Sequence, residues 1–388
     1  MLIQFTVENH RSIKNSAVIS FAASKDKSFE EYLLHPDEKK VLLPVLAIYG
    51  ANAAGKSNVL HAMMTMKEMV VGNAAKVSKG QKLPWEPFGG TKVPTSFEMV
   101  FIFQGVRYTY GFSFDAKKIY KEYLYHWPNG REALIFSREN GVYEFRENVN
   151  EQVTLSNRTP DNKLYLVSSN DWNLPQTENA YRWFLEKLTF LMEEEPATSE
   201  TVAQIASGDD KKARILKELL LADLGITDVA IKNSSGKAPV ITTTHRIINE
   251  DGTTEYFQLL MEQESAGTQH FFTRIGGWLQ ALENGALLVV DEIEDSLHPL
   301  LTRRLIEMVQ DKAVNTKGAQ LIFTTHDAML LDLNFFRRDQ IWFAEKNDET
   351  CATELYSLAS FSPRKGENVR KGYLQGRFGA IPFIGGDA

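Results

Sequence analysis

Gly50-Ala51-Asn52-Ala53-Ala54-Gly55-Lys56-Ser57 reads G-x-x-x-x-G-K-[ST], the pattern of a phosphate-cradling P-loop. At average residue usage, a chain of this length produces that pattern by chance roughly once in a hundred sequences. Its flanks fit. Pro44 precedes the apolar run Val45-Leu46-Ala47-Ile48-Tyr49, and Val59, Leu60, Met63, Met66 and Met69 follow at helical spacing. Strand, glycine loop and helix in that order are what the chemistry requires.

Gly50 and Gly55 allow tight turns that aim backbone N–H groups at phosphate oxygens. The start of the next helix adds partial positive charge at the same point. Lys56 would reach the β- and γ-phosphates, and the Ser57 hydroxyl would bind Mg2+. Gly50, Asn52, Ala53, Ala54, Gly55, Lys56, Ser57 and Asn58 are therefore the candidate nucleotide-binding residues. The competing reading is a glycine-containing strand–helix turn with no ligand.

Composition is that of a folded soluble protein: 388 residues, 43% hydrophobic and 24% charged. A net charge of -7 disfavours a globally basic nucleic-acid binder, although a local basic face stays compatible with it. A single cysteine, Cys351, excludes an intrachain disulfide and a multi-cysteine zinc site, and fits a reducing cytoplasm. Met1–Val7 alternates like a strand and lacks the apolar core of a leader, and no run is long enough to cross a bilayer, so no membrane association is expected.

Leu2–Glu8 and Ala17–Ala22 read as a hairpin, and Thr95–Phe145 as a series of antiparallel strands. The aromatic strands around Phe97–Phe112 read as core rather than as a ligand surface. Glu178–Met192 and Asp209–Leu221 read as helices, Asp223–Val229 as a helix end passing into a strand, and 237–262 as a hairpin. Ser265 to about Asn284 reads as a helix stopped by Gly285. Strands at Ala286–Val290, Gln320–Thr324 and Gln340–Ala344 then alternate with a helix at Pro299–Gln310. The expected organisation is one discontinuous domain, with 1–75 and 237–388 as nucleotide-binding core and 76–236 as an inserted β and helical lobe.

Three further motifs carry chemistry. Ala286-Leu287-Leu288-Val289-Val290-Asp291-Glu292 is an apolar strand ending in two acids, a Walker B pattern. Asp291 would hold Mg2+, and Glu292 would polarise the attacking water. Gln320–Thr324 ends at Thr325-His326-Asp327, which would place His326 at the carboxyl end of a buried strand, where open parallel sheets bind ligands. Glu264-Ser265-Ala266-Gly267-Thr268-Gln269 opens the long helix; Ser265 is at least an N-cap, and a capped helix start is also an anion site.

In chain order, with the glycine loop first, then Ser265–Gln269, then Asp291-Glu292, then Thr325-His326-Asp327, the four motifs resemble an ABC-type ATPase head. Ile293-Glu294-Asp295-Ser296-Leu297-His298-Pro299 resembles the D-loop region of SMC-like and repair heads, and Glu8-Asn9-His10-Arg11-Ser12 their Asn-Phe-Arg-Ser turn. Closer still, Glu86-Pro87-Phe88, Gly225-Ile226-Thr227-Asp228 with the preceding Leu224, Arg338–Phe343 and Tyr373–Pro382 are similar to bacterial AAA-family ATP-binding proteins of the RloA/AbiL kind, relatives of OLD-family ATPases. The resemblance runs nearly end to end.

It implies an α/β fold, namely a P-loop ABC-type ATPase head with an antiparallel β lobe and an inserted helical region. It also implies ATP hydrolysis with ATP and Mg2+, Arg11 near the nucleotide, and self-association across nucleotide; slow turnover is expected because in phosphoryl transfer the protein mainly positions water and stabilises charge. Lys56, Ser57, Asp291, Glu292 and His326 of one copy would face a signature of Ser265, Ala266 and Gly267 from another. A separate effector, a nuclease or toxin, and a role in phage defence or abortive infection follow from the same resemblance. So does docking of Gly376–Pro382 near the site, with an unpacked tail as the alternative for its last residues.

Departures are also evident. The signature begins Glu-Ser-Ala-Gly-Thr, and the Q-loop glutamine has no placed candidate beyond Gln81 and Gln104. Sustained heptads are missing from the insert, which excludes a long coiled coil. Too little chain follows His326 for the nuclease domain of OLD enzymes, and the spacing of Asp339, Glu345 and Lys346 is wrong for one.

The alternative function is a DNA-binding repair ATPase, using Arg303-Arg304, Arg337-Arg338 and Arg364-Lys365 with Arg370-Lys371. Solvated charge explains each of these clusters better. No Asn-Lys-x-Asp motif supports a GTPase. A scaffold that binds ATP without turnover would not need Glu292, and a ring-forming motor would not need the Ser265 helix start.

Overall fold

The computed structural model describes residues 1–191, 199–222, 225–234, 237–364 and 366–381. Leu224, Lys365 and Pro382 from the stretches read above, together with Met192 and Asp223, lie outside them.

Leu2–Glu8 (β1) and Ala17–Ser20 (β2) form the expected hairpin. Val45–Tyr49 (β3) runs into the glycine loop, and Lys56–Val70 (α1) leaves it. Five antiparallel strands follow: Thr95–Phe103 (β4), Val106–Phe114 (β5), Ile119–Trp127 (β6), Ala133–Glu139 (β7) and Val142–Phe145 (β8). With β1 and β2 they make a seven-stranded sheet in the order β2-β1-β4-β5-β6-β7-β8. Phe97, Phe101, Tyr110 and Phe112 are buried there, as core.

Helices Val149–Ser156 (α2), Tyr165–Asp171 (α3) and Pro175–Lys187 (α4) cover that sheet. Buried Glu122 of β6 accepts the N–H groups of Tyr165 and Leu166 at 2.7 and 2.9 Å, so the first free donors of α3 anchor it to the sheet. The helix read over Glu178–Met192 stops at Lys187. Leu188–Leu191 (β9) is instead a strand, paired in parallel with Leu287–Val290. A vacant edge of the central sheet decides this segment, an influence no local periodicity carries.

Glu200–Ser207 (α5), Asp209–Leu221 (α6), Ile226–Ser234 (β10), Lys237–Ile248 (β11) and Thr254–Leu260 (β12) come next. The last three form a separate three-stranded sheet. Ala266–Asn284 (α7) is capped by Ser265 at one end and by Gly285 in the left-handed region at the other. Leu287–Val290 (β13), Pro299–Gln310 (α8), Gln320–Thr324 (β14) and Ile341–Lys346 (β15) follow as expected. Thr353–Ser357 (β16) and Val369–Leu374 (α9) close the described chain.

The central sheet has the order β16-β15-β3-β14-β13-β9, parallel except for β16. Its strands alternate between two cores. Leu46, Ile48, Leu287, Val289 and Ile322 face the core shared with α1 and the seven-stranded sheet. Val45, Ala47, Tyr49, Leu288, Val290, Leu321 and Phe323 face the core built with α7 and α8. Burial on both faces explains why these strands read as unbroken apolar runs. Gln320 fastens the two sheets together: its Oε1 accepts from the Leu2 N–H at 2.6 Å, and its Nε2 donates to the Leu2 carbonyl at 3.0 Å. The result is a mixed α/β architecture in which the carboxyl ends of β3, β13 and β14 open together.

Candidate nucleotide site

The loop between β3 and α1 is built on its glycines. A Cβ on Gly50 would lie 2.3 Å from the Ala344 carbonyl oxygen. One on Gly55, at φ +95°, would lie 2.0 Å from Thr353 Oγ1. Thr353 is the fastener: its hydroxyl donates to the Ala54 carbonyl at 2.8 Å and sits 2.7 Å from Ser12 Oγ. Ser12 in turn accepts from Asn58 Nδ2 at 2.7 Å. The loop is thus tied to the turn after β1 and to the edge strand β16. Asn52 and Ala53 stand exposed at its crest, Ala53 at φ +61°.

Lys56 is buried, and its ammonium donates to the Gly50 and Ala51 carbonyls at 2.9 and 3.0 Å. Burial lowers its pKa, and the opposing pull comes from Glu292, Asp291 and Glu294. Its Nζ lies 3.3 Å from His326 Nδ1, and His326 Nε2 lies 3.3 Å from a Glu292 oxygen. Lysine, histidine and glutamate therefore form one chain across the ends of β3, β14 and β13.

Ser57 Oγ donates to Asp291 Oδ1 at 3.0 Å. Thr324 Oγ1 donates to the same oxygen and accepts from the Glu292 N–H at 2.8 Å. Glu292 takes φ +45°, which turns its backbone out of the strand at the mouth of the site, and its side chain is exposed. Glu294 accepts from the His326 N–H. A hydroxyl and a carboxylate converging at hydrogen-bond distance form an all-oxygen donor pair, the chemistry that suits Mg2+. These residues fit that ion.

The adjoining cavity holds about 990 Å³, and Gly50, Asn52, Glu292, His326, Tyr373 and Ile381 are among the residues lining it. The far wall is the C-terminal segment. Glu345 accepts from the Ala380 N–H at 2.9 Å, and Tyr356 donates to the Phe378 carbonyl at 2.9 Å, which docks 376–381 beside the site. Glu345 is therefore engaged in holding this segment, and Asp339 is engaged by buried Arg337 at 2.9 Å.

Other candidate residues stand apart. Arg11 donates through Nε to Glu86 at 2.5 Å, and its neighbour Ser12 accepts from Asn58. Among the described residues no hydrogen bond joins Ser265, Ala266 or Gly267 to residues 50–58. Ser265 Oγ accepts from the Thr268 N–H at 3.1 Å, and a Cβ on Gly267 would lie 2.9 Å from the Ser296 carbonyl. The helix α7 thus starts against the segment Ile293–Pro299. Gln81 and Gln104 are not among the residues lining the cavity at the glycine loop.

The basic clusters are mostly engaged. Arg303 pairs with Glu307, Arg304 with Glu218, Arg337 with Asp339 and Arg338 with Asp26. Charge spent on intramolecular carboxylates is poorly placed to neutralise phosphates. Sequence reading passed over Ser12, Thr324 and Thr353. Thr324 was within reach, since it ends the strand before His326; nothing local marks Thr353, whose role arises from a hairpin folded back across the loop.

No described helix is long and apolar enough to cross a membrane. Comparison with curated proteins gave no match. The family model described as "AAA domain, putative AbiEii toxin, Type IV TA system" matches residues 45–332, a span that runs from the first strand of the loop past the histidine strand. With its glycine loop, acidic strand end and histidine strand gathered at the carboxyl ends of neighbouring parallel strands, the chain belongs to this AAA-domain ATPase family.

Proposed function

We propose that the protein is a slow ATPase whose nucleotide state controls self-association and, through it, a separate effector protein. The observation that carries this reading is the Lys56–His326–Glu292 chain, with both links at 3.3 Å, beside the Ser57–Asp291 pair at 3.0 Å. In this reading Lys56 leaves its loop carbonyls to meet the β- and γ-phosphates. Ser57 and Asp291 would hold Mg2+, which supplies charge neutralisation on the phosphates.

Glu292 orients and polarises a water for in-line attack on the γ-phosphorus while the bond to the bridging oxygen breaks. His326, held by its backbone bond to Glu294, steadies Glu292 and can donate to the γ-phosphate. Binding of phosphate at the N-terminus of α1 uses donors that the helix leaves free. The proposed organisation is one discontinuous unit with 1–75 and 237–388 as core and 76–236 inserted. The pairing of β1 with β4 and of β13 with β9 ties that insert into both sheets.

Self-association places Ser265, Ala266 and Gly267 of a second copy over the nucleotide of the first. The start of α7 is suited to this, because Ala266 and Gly267 leave a shallow surface at a capped helix end. The family description, "AAA domain, putative AbiEii toxin, Type IV TA system", supports a partner-controlled role and a place in abortive infection.

The decisive variant is Glu292→Gln, which retains a hydrogen-bonding amide and loses the carboxylate. Hydrolysis should fall by about 10²–10⁴-fold, as for removal of a general base. ATP binding should persist, and light scattering should show a dimer that forms with ATP and dissociates with ADP. A variant whose mass is the same with and without ATP would refute the switch.

A further inference from the structure

Away from the nucleotide cavity, three side chains from three separate segments converge. His10 lies in the turn after β1, His61 on α1, and Glu86 in the loop before β4. One ligand-capable atom from each lies within 4.8 Å of the others. We propose that His10, His61 and Glu86 bind a divalent transition-metal ion of the zinc class, with water completing the coordination, and that this ion clamps the turn carrying Arg11 and Ser12 to the loop's helix.

The spacing is the first argument. His10 Nε2 and His61 Nδ1 are 3.4 Å apart. Two nitrogens each about 2.0–2.1 Å from one tetrahedral ion lie about 3.3–3.4 Å from each other. A hydrogen bond between ring nitrogens would settle nearer about 2.9–3.0 Å. That separation suits two ligands of one ion; His61 Nδ1 also lies 3.3 Å from Thr65 Oγ1, a contact that metal binding would replace.

Preorganisation is the second. Asn9 accepts through Oδ1 from the Phe88 N–H at 3.1 Å and from Thr91 Oγ1 at 3.0 Å, and Arg11 N–H donates to the Glu86 carbonyl at 2.8 Å. These bonds fix the Glu86 loop against the His10 turn before any ion arrives. His10 is fully buried, and its ring meets Phe97 edge-on with centroids 5.4 Å apart, so its orientation is set by packing. A site so held binds without a large ordering cost.

The donor set is the third. Two neutral imidazoles and one carboxylate suit zinc and its neighbours rather than Mg2+ or Ca2+. A neutral imidazole presents one ring lone pair to a metal. Arg11 occupies one side of the Glu86 carboxylate at 2.5 Å; a carboxylate offers about four lone-pair sites, which leaves room for a metal bond. The same carboxylate offsets the Arg11 cation, the one positive side chain paired within the cluster. An ion here would hold Arg11 and Ser12 in the setting from which Ser12 grips Asn58, and so would couple metal occupancy to loop order.

The test uses the full chain, stripped with a chelator, without nucleotide, titrated with Co2+ and then with Zn2+ in competition. The expected result is one equivalent of Co2+ with a visible ligand-field spectrum of low coordination number, displaced by Zn2+. His61→Ala and Glu86→Gln should each weaken binding at least about tenfold, as expected when a ligand is removed from a small site. Asp291→Asn should leave the spectrum unchanged, which separates this site from the Mg2+ residues. Glu86 is exposed, so Glu86→Gln leaves the core intact and its result is interpretable even if His10 variants fail to fold. Absence of Co2+ uptake, uptake indifferent to both His61→Ala and Glu86→Gln, or a spectrum abolished by Asp291→Asn would each overturn the proposal.

Discussion

At the scale of the residue, the glycine loop is held from outside itself. The hydrogens of Gly55 face the hydroxyls of Thr353 and Ser12, and its φ of +95° lies where L side chains are strained. Gly55→Ala therefore meets two obstacles at once, a left-handed backbone and an occupied space. The backbone contribution alone is about 1–2 kcal/mol. The expected outcome is a loss of stability of at least that order in denaturant titration, together with at least tenfold weaker ATP binding by fluorescence titration. Thr353→Val removes the hydroxyl without the backbone strain; it should weaken ATP binding and cost about 1–3 kcal/mol of stability, because the Ala54 carbonyl loses its buried donor. This staple explains why the motif at 50–57 could be read from eight residues, whereas its support could not: Thr353 is about three hundred positions away along the chain.

At the scale of the element, α7 joins two roles in one helix start. Ser265 caps it, with Thr268 N–H donating to its hydroxyl, and Gly267 approaches the carbonyl of Ser296. Glu264, one residue earlier, is held by His245 at 2.6 Å, so the three-stranded sheet is anchored to the same point. Ser265→Ala removes only the cap, worth about 1 kcal/mol. Ser265→Arg removes the cap and also places a bulky cation on the surface proposed to meet a second copy. ATP binding should be retained in both variants. Hydrolysis should persist in Ser265→Ala and be lost in Ser265→Arg, measured by phosphate release. Loss of hydrolysis in neither variant would show that the helix start takes no part. The segment at 178–191 teaches the opposite lesson about elements: the helical pattern was legible through Lys187, but the switch to β9 depended on a partner strand almost a hundred residues downstream.

At the scale of the whole molecule, stability should report on the buried His10 ring. In the fold its pKa is lowered from 6.5 to about 4, first by burial, then by His61 and Arg11, with Glu86 opposing. The folded state therefore binds this proton more weakly than the unfolded chain does. The stabilisation is fully present above about pH 6.5 and is lost as pH falls towards 4. Its size is on the order of 3 kcal/mol. Metal-free protein should lose that much between those limits in urea titrations, and His10→Phe should flatten this part of the profile, since a phenyl ring can occupy the same packing without a proton. A profile identical in wild type and His10→Phe would exclude the ring as the cause.

Taken together, the local reading of the chain established the P-loop strand and helix, the acidic strand end, the histidine strand and the capped start of α7. Each of these is encoded in consecutive residues by apolar period, glycine and cap chemistry. Tertiary structure decided which of them meet: that Lys56, His326 and Glu292 form one chain, that Ser12 is tied to Asn58 and Thr353, that Thr353 supports the loop, that the C-terminal segment walls the cavity, and that His10, His61 and Glu86 converge. Contacts between distant segments depend on sheet order and on which face of each strand is buried, and neither quantity is written in any short stretch of sequence.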